Sequence, residues 1–335
     1  MLTQDSLQQE IIASIKKSLT FDILYQRIRP DISKFITATS KLPLKGLDDW
    51  ERLIRAEAFY SLRQYIQKQN DNNLQQVGSL RWIDICSTDG FRRERALRTL
   101  SGGAPNSFLL ALVVRRLNDW VPQVRAAARD ALPLIAEESD PEFIVDVLFI
   151  TLPYWHSWGR MEYIEKEVLM KVILMEKVTN ALKKRLLTSS SGPVATIFGQ
   201  IGRTTALDKF LAEISEKSIQ PSLRAKAYRC QFESKFVWAE GLTWQWIDKI
   251  YGIQRRIPAL KERIIPTARP FIDTLRMATI DRSPMVRRIA GEMLIKELDN
   301  IGDEAFNLAN ILASDKSPSV AERGRYALTD LEKRN

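Results

Sequence analysis

The chain has 335 residues, enough for two globular domains or for one elongated array of repeats. Hydrophobic residues make up 45% of the chain and charged residues 27%, which excludes collagen-like, low-complexity and largely disordered proteins. The single His and two Cys exclude a structural zinc site, which takes about four such ligands, and most nucleophile–histidine couples.

The charge balance favours an acidic partner. Lys and Arg number 50 against 41 Asp and Glu, a net charge of +9, which suits nucleic acid, an anionic membrane or an acidic protein. A solvated surface of mixed charge explains the same numbers. The longest apolar run, Phe108–Val114, is far below the roughly 20 residues of a membrane span, and the first residues are polar. We therefore expect a cytoplasmic protein without a membrane contact.

The first 48 residues predict a helical cap. Its leading segment carries an amphipathic series with the spacing of one helix face. The series consists of Leu7, Ile11, Ile12, Ile15 and Leu19. The two cysteines, Cys86 and Cys230, stand among apolar or helix-forming neighbours without a metal or disulfide spacing, which predicts buried free thiols.

From residue 49 onward one pattern recurs. Position zero is aspartate, position six is arginine in three copies, position nine is small and position thirteen is leucine. In copy order these positions hold Asp49, Arg55, Ala58 and Leu62; Asp119, Arg125, Ala128 and Leu132; Asp281, Arg287, Ala290 and Leu294; and Asp315, Ala321, Gly324 and Leu328. The spacing indicates one face of a helix, and a proline at position three in three copies starts that helix.

Two weaker copies begin with serine, at Ser87 and Ser218. The spacing of the six starts leaves room for further units near residues 153, 186 and 250. Near 250, Arg256 and Ala259 occupy positions six and nine, which predicts a helical unit there.

The segment Asp119-Trp-Val-Pro-Gln-Val-Arg-Ala-Ala-Ala-Arg-Asp-Ala-Leu132 resembles the second helix of a HEAT repeat, and Ile201-Gly202 and Ile301-Gly302 resemble its turn into the next helix. The resemblance covers residues 49–335, with roughly nine units of a short, bacterial type. It implies an all-α fold: a right-handed α-solenoid of HEAT-like helix pairs in one continuous domain, 49–335, with the N-terminal cap at 1–48 and a concave inner surface.

The aspartate at zero and the arginine at six predict a ladder of Asp–Arg hydrogen bonds between successive units. The alternative is a row of arginines that binds phosphate. Arginines outside position six are stronger binding candidates, and they cluster at Arg115-Arg116 and Arg255-Arg256.

Two segments interrupt the repeat and are rich in aromatic residues. One contains Trp155, Trp158 and Arg160, and the other contains Trp244 and Trp246. Tryptophan beside arginine is typical of interaction hot spots and of surfaces that stack bases. The alternative is that these rings fill gaps between irregular repeats.

These features favour a non-enzymatic scaffold or adaptor, without cofactor or metal, that binds another macromolecule on the concave face. A protein is the first-choice partner and nucleic acid the second. The predicted contact residues are Trp155, Trp158, Arg160, Trp244, Trp246, Arg255, Arg256, Arg115 and Arg116.

Two alternatives remain open. One is a nucleic-acid binder, in its sharpest form an enzyme that resembles the HEAT-like alkylpurine DNA glycosylases in its basic, helical composition. Asp248, beside Trp244 and Trp246, is the catalytic candidate in that case. The other is an immunity or regulatory protein that caps one enzyme or toxin.

Overall fold

The computed structural model describes residues 3–22, 27–69, 80–266 and 269–334, and this part of the chain is mostly helical. It divides into two compact units, Met1–Ala181 and Leu182–Asn335. The helices of the first unit are α1 (Gln4–Ser18), α2 (Ser33–Thr39), α3 (Leu47–Gln69), α4 (Gly90–Thr99), α5 (Ser107–Arg115), α6 (Pro122–Glu138), α7 (Pro141–Thr151) and α8 (Tyr163–Leu174). Helix α9 (Glu176–Thr188) crosses the division. Those of the second unit are α10 (Val194–Ile201), α11 (Leu211–Lys217), α12 (Pro221–Glu233), α13 (Phe271–Thr279), α14 (Pro284–Lys296), α15 (Leu298–Ile301), α16 (Glu304–Ala313) and α17 (Pro318–Arg334).

Two antiparallel β-hairpins accompany the helices. In the first unit β1 (Leu19–Asp22) pairs with β2 (Arg27–Pro30), and in the second β3 (Lys235–Asp248) pairs with β4 (Ile253–Ile264). The prediction of an all-α chain is therefore wrong in these two places, although the prediction that helices dominate is confirmed.

The second hairpin also overturns the helical unit predicted near residue 250. Leu242-Thr-Trp-Gln-Trp246 alternates apolar and polar residues, which is the period of a strand and not of a helix. Glycines with positive φ, Gly241 at 81° and Gly252 at 64°, supply a bend and a turn. Arg256 and Ala259, which match the repeat by spacing alone, lie on β4.

In each unit, helices that carry the repeat pattern pack against one another. Helix α4 packs on α6, and α6 packs on α8, while α5 packs on α7. In the second unit α12, α14 and α17 pack in succession, and α13 packs on α16. The core between the second-unit helices holds small and leucine positions of the pattern, Ala290 and Leu294 among them.

The predicted Asp–Arg ladder is confirmed at three steps. Arginine at position six of one copy forms a two-bond ion pair with the aspartate that opens the next copy. The pairs are Arg93–Asp119, Arg224–Asp281 and Arg287–Asp315. Each arginine also donates to the main-chain carbonyl at its own position zero, which ties its helix to the preceding turn.

The aspartate has a second, local role. Its Oδ1 accepts the N–H two residues later, at distances of 2.9 Å for Asp119, 2.7 Å for Asp281 and 2.8 Å for Asp315. This turn leads directly into the proline at the first position of α6, α14 or α17. The same side chain therefore shapes the helix start and receives the arginine of the neighbouring helix.

The N-terminal prediction is confirmed for its helix. Ile11 and Ile15 are buried on α1, which packs against α2 and α3. Cys86 and Cys230 are buried free thiols, as predicted, and burial raises the pKa of Cys230 to about 12. The boundary at residue 48 stays a prediction.

Candidate functional site

The residues that the sequence singles out for binding fall into two groups, one in each unit. Arg115, Arg116, Trp158 and Arg160 line one pocket of the first unit. Trp244, Trp246, Arg255 and Arg256 lie on the β3–β4 hairpin of the second unit. Trp155 belongs to neither group, because its side chain is buried in the first unit.

The pocket of the first unit is a cleft of about 550 Å³. We call it the arginine pocket, because arginine is its commonest lining residue. Its lining consists of Asp48, Glu51, Arg55, Ser87, Thr88, Arg93, Arg115, Arg116, Asn118, Asp119, Trp120, Trp158 and Arg160. These residues come from α3, the turn before α4, α4 itself, the end of α5 and the connections that follow α5 and the 3₁₀ turn Trp155–Ser157. The pocket volume lies within the usual range of small-ligand sites.

Two buried carboxylates organise the arginines of the pocket. Glu51 accepts from Arg115 at 2.9 Å and from Arg116 at 2.7 Å, and it also pairs with Arg55. Asp119 accepts from Arg93 at 2.8 and 3.0 Å and from Arg116 at 3.0 Å. Arg116 thus connects both carboxylates, and the network holds four guanidinium groups in fixed positions.

The electrostatics of Asp119 agree with this geometry. Burial by itself raises the pKa of a carboxyl. Here the hydrogen bonds from Arg93 and the Val121 N–H, together with the charges of Arg116 and Arg93, outweigh burial, so the pKa of Asp119 lies below its ordinary value. Asp119 is therefore ionised and serves the network as an anion.

Part of the pocket has no partner among the described residues. The Arg116 side chain is only 7% exposed, and its Nε–H has no acceptor there. The guanidinium of Arg160 is exposed and makes no ion pair with a described residue; its main-chain N–H donates to the Asn118 side chain at 2.9 Å. An indole, Trp120, is 68% exposed, and the Arg93 guanidinium lies 6.0 Å from its ring centre.

The base of the β3–β4 hairpin is anchored in the second unit. Phe236 is fully buried, with its ring centre 5.0 Å from that of Phe198 on α10. Arg263, its cross-strand partner, donates to the Gly202 carbonyl at 2.7 Å and to the Asp208 carboxylate at 2.6 and 2.8 Å. These contacts fix the direction in which the hairpin leaves the helices.

Beyond this base the hairpin is exposed. We call residues 239–260 the hairpin arm; all nine β3 residues from 239 to 247 are exposed. Cross-strand pairing places Trp244 opposite Arg256 and Trp246 opposite Gln254, on one face of the ribbon. Trp244 is 59% exposed, Trp246 is 50% exposed, and Ile250 at the tip is 90% exposed.

The polar residues of the hairpin arm have mainly local contacts. The Arg256 guanidinium lies 5.0 Å from the ring centre of Trp244, and Arg255 donates to Gln245 at 3.3 Å. The Asp248 carboxylate accepts the turn N–H groups of Ile250 and Tyr251 at 2.8 and 3.1 Å. Asp248 thus shapes the turn at the tip of the hairpin. It does not lie on a helix, which a catalytic aspartate on the concave face of a helical solenoid would require.

Sequence inspection missed several residues of both groups. Glu51 and Trp120 carry no signal of their own, because Trp120 lies within a repeat copy and Glu51 lies inside a helix. On the hairpin arm, Ile250 was missed, because it lies in the turn beyond the alternating segment 242–246.

No arrangement of three or more His, Cys, Asp or Glu side chains within residues 3–22, 27–69, 80–266 and 269–334 is able to hold a metal ion. The helices of these same stretches are too short or too polar to cross a membrane. No protein-family model matches this chain, and no curated protein sequence matches it either.

Proposed function

We propose that this chain is a non-enzymatic helical-repeat scaffold that binds a protein partner through its hairpin arm. The observation that carries the proposal is the exposure of Trp244 and Trp246 on a hairpin whose base is anchored by Phe236 and Arg263. The Asp–Arg ladder and the packing of successive helices that carry the repeat pattern support the finer proposal that the repeats form a HEAT-like solenoid.

A free arm of this composition is costly in water. An antiparallel sheet ordinarily buries one face, and an isolated two-stranded hairpin is marginally stable. The arm exposes eight large apolar residues on a single ribbon, Leu242, Trp244, Trp246, Ile247, Ile250, Tyr251, Ile253 and Leu260. Large exposed apolar surface of this kind marks an interaction site.

The charges of the hairpin arm favour an acidic, partly apolar partner surface. Lys249, Arg255 and Arg256 are cationic, the carboxylate of Asp248 is engaged by the turn, and that of Glu240 pairs with Lys261. Tryptophan, tyrosine and arginine are also the residues most enriched in protein interfaces and hot spots. Neither outer edge of the ribbon pairs with another strand of the described residues, so a strand of the partner can add to either one.

Nucleic acid is the second candidate. A two-stranded ribbon fits the DNA major groove, and indoles with arginine stack bases in single strands. The specific observation in its favour is the Arg256 guanidinium over the Trp244 ring. The salt dependence of the affinity distinguishes a nucleic-acid partner from a protein partner. Binding to phosphates releases counterions, so the affinity falls steeply with salt, whereas an apolar protein contact releases none.

The test compares the full-length chain with the variant Trp244→Ala/Trp246→Ala in affinity capture from the cells that produce it. Phe91→Ala is the matched control, since Phe91 is 83% exposed and lies on α4 outside both sites. We expect one protein to be captured by wild type and control and lost in the double variant. Circular dichroism checks that each variant is folded.

The captured protein is then purified and titrated by calorimetry. Trp244→Ala should weaken its binding by about 30-fold or more, the scale of a hot-spot residue. In parallel, anisotropy is measured with labelled duplex and single-stranded DNA and RNA. Submicromolar binding that falls steeply with salt and needs Arg255 and Arg256 would overturn the protein proposal in favour of nucleic acid. A protein that binds the double variant as tightly as wild type would refute the protein proposal, and a nucleic acid that does so would refute the nucleic-acid alternative.

A further inference from the structure

We propose that the arginine pocket of the first unit binds a nucleoside phosphate, with the phosphate among the arginines and the base on the Trp120 indole. The site lies outside the hairpin arm and does not depend on the arm having a partner.

The charge of the pocket matches a phosphate monoester. Its lining contains five arginines and three carboxylates, Asp48, Glu51 and Asp119, which leaves two positive charges in excess. A phosphate monoester carries about −1.5 to −2 at pH 7. One such group therefore neutralises the pocket, whereas a single carboxylate leaves half of the excess.

The donors of the pocket are only partly used. Glu51 and Asp119 occupy the Nη groups of Arg116, but its buried Nε–H has no acceptor among the described residues. That N–H is enclosed by protein atoms, so it is not itself open to a ligand in the cleft. Arg160 adds an exposed guanidinium, which matches phosphate geometry with two parallel bonds.

The aromatic walls favour a ligand that also carries a flat ring. Trp120 is supported by the Arg93 guanidinium and remains 68% exposed, and the half-buried Trp158 lines the same pocket. Bases stack well on indole rings, and this stacking tolerates every base. Inorganic phosphate or an acidic side chain makes no use of these rings.

The experiment titrates the full-length chain with adenosine 5′-monophosphate by calorimetry and by quenching of tryptophan fluorescence. Inorganic phosphate and adenosine are titrated separately. We expect the monophosphate to bind at least about tenfold more tightly than either fragment, because charge and stacking both contribute. A 5′-phosphorylated dinucleotide then distinguishes a free nucleotide from the end of a strand, and binding of either one supports the site.

The test variants are Arg160→Ala and Trp120→Ala, since both side chains are exposed and neither is needed for the buried ion pairs. Each should weaken binding of the monophosphate about tenfold. The controls are Arg95→Ala and Phe91→Ala, exposed residues of α4 outside the pocket, and both should bind as wild type does.

The proposal is overturned by any of three results. The first is no binding of the monophosphate at millimolar concentration. The second is equal affinity for inorganic phosphate, which leaves the indole without a role. The third is an unchanged affinity in both test variants. Loss of partner binding through the hairpin arm leaves these outcomes unaffected, so the two proposals fail separately.

Discussion

Removal of one step of the Asp–Arg ladder should destabilise the first unit far more than removal of a surface ion pair. Arg93 forms two hydrogen bonds with Asp119, and the two side chains are 3% and 1% exposed. Its Nη1 also donates to the carbonyls of Ser87 and Thr88 at 2.8 and 3.1 Å. The side chain thus joins α4 to the turn before α4 and to the turn before α6.

The expected magnitude follows from burial. Removal of one partner of a buried pair costs about 3–5 kcal/mol, because a charge remains buried without compensation. Asp119 retains Arg116, at 3.0 Å, so the lower limit applies and Arg93→Ala should cost about 3 kcal/mol. The control is Arg98→Ala on the same helix, where a half-exposed arginine pairs with Glu94 and with the exposed Asp130 of α6. Such exposed pairs contribute about 0–1 kcal/mol.

The assay is urea unfolding followed by circular dichroism, with hydrogen exchange to locate the change. With a slope of about 2 kcal/mol per molar urea, the midpoint of the affected transition should fall by about 1.5 M in Arg93→Ala and hardly at all in Arg98→Ala. Amide protection should be lost in α4 and α6. Equal midpoints for the two variants would refute the argument that the ladder holds these helices together.

Two further predictions concern the second unit. Gly202→Ala should lower its stability by about 1–3 kcal/mol, because the added Cβ would lie 2.0 Å from the Phe236 ring. Gly159→Ala, whose Cβ meets no atom within 4 Å, is the control in thermal unfolding, and equal losses would contradict the overpacking argument. The hydrogen bond from Arg287 holds the pKa of Asp315 below its ordinary value. This carboxylate therefore stabilises the fold above about pH 4, and its contribution is lost as the pH falls through the folded pKa. The urea midpoint should fall on acidification in this range and should fall less in Asp315→Asn; an equal fall in both would contradict the assignment.

The binding residues show where sequence reasoning reached its limit. Arg115, Arg116, Trp158 and Arg160 were selected by composition alone, and the structure brings them into one pocket. Trp155, selected in the same way, is buried, because composition does not distinguish an indole that fills the core from one on the surface. Glu51 had no signal at all, although it binds three arginines of the pocket.

Trp244 and Trp246 show a different limit. The sequence predicts that both interact, and both are exposed, but it places them in a segment that interrupts the repeat and does not predict the strand on which they lie. The spacing of Arg256 and Ala259 matched the repeat by chance, while the alternation between Leu242 and Trp246 indicated a strand. A match to the helical repeat at two positions is weaker evidence than a continuous two-residue alternation of apolar and polar residues. The alternation therefore gives the correct prediction of a strand.

The sequence by itself determined the helix starts and the ladder. The aspartate that shapes a turn, the proline that follows and the arginine that donates to the carbonyl at its own position zero act within six residues along the chain, so their spacing records them directly. The ladder pairs join residues 26 to 57 positions apart, and the sequence records them through the recurrence of the same two positions in successive copies. Only the tertiary structure decided which side chains meet in the pocket and which remain exposed on the arm. Arg116 reaches Glu51 across 65 residues, and residues 239–247 of the arm are all exposed. Contacts of that range depend on how the helices pack, and the local pattern does not encode them.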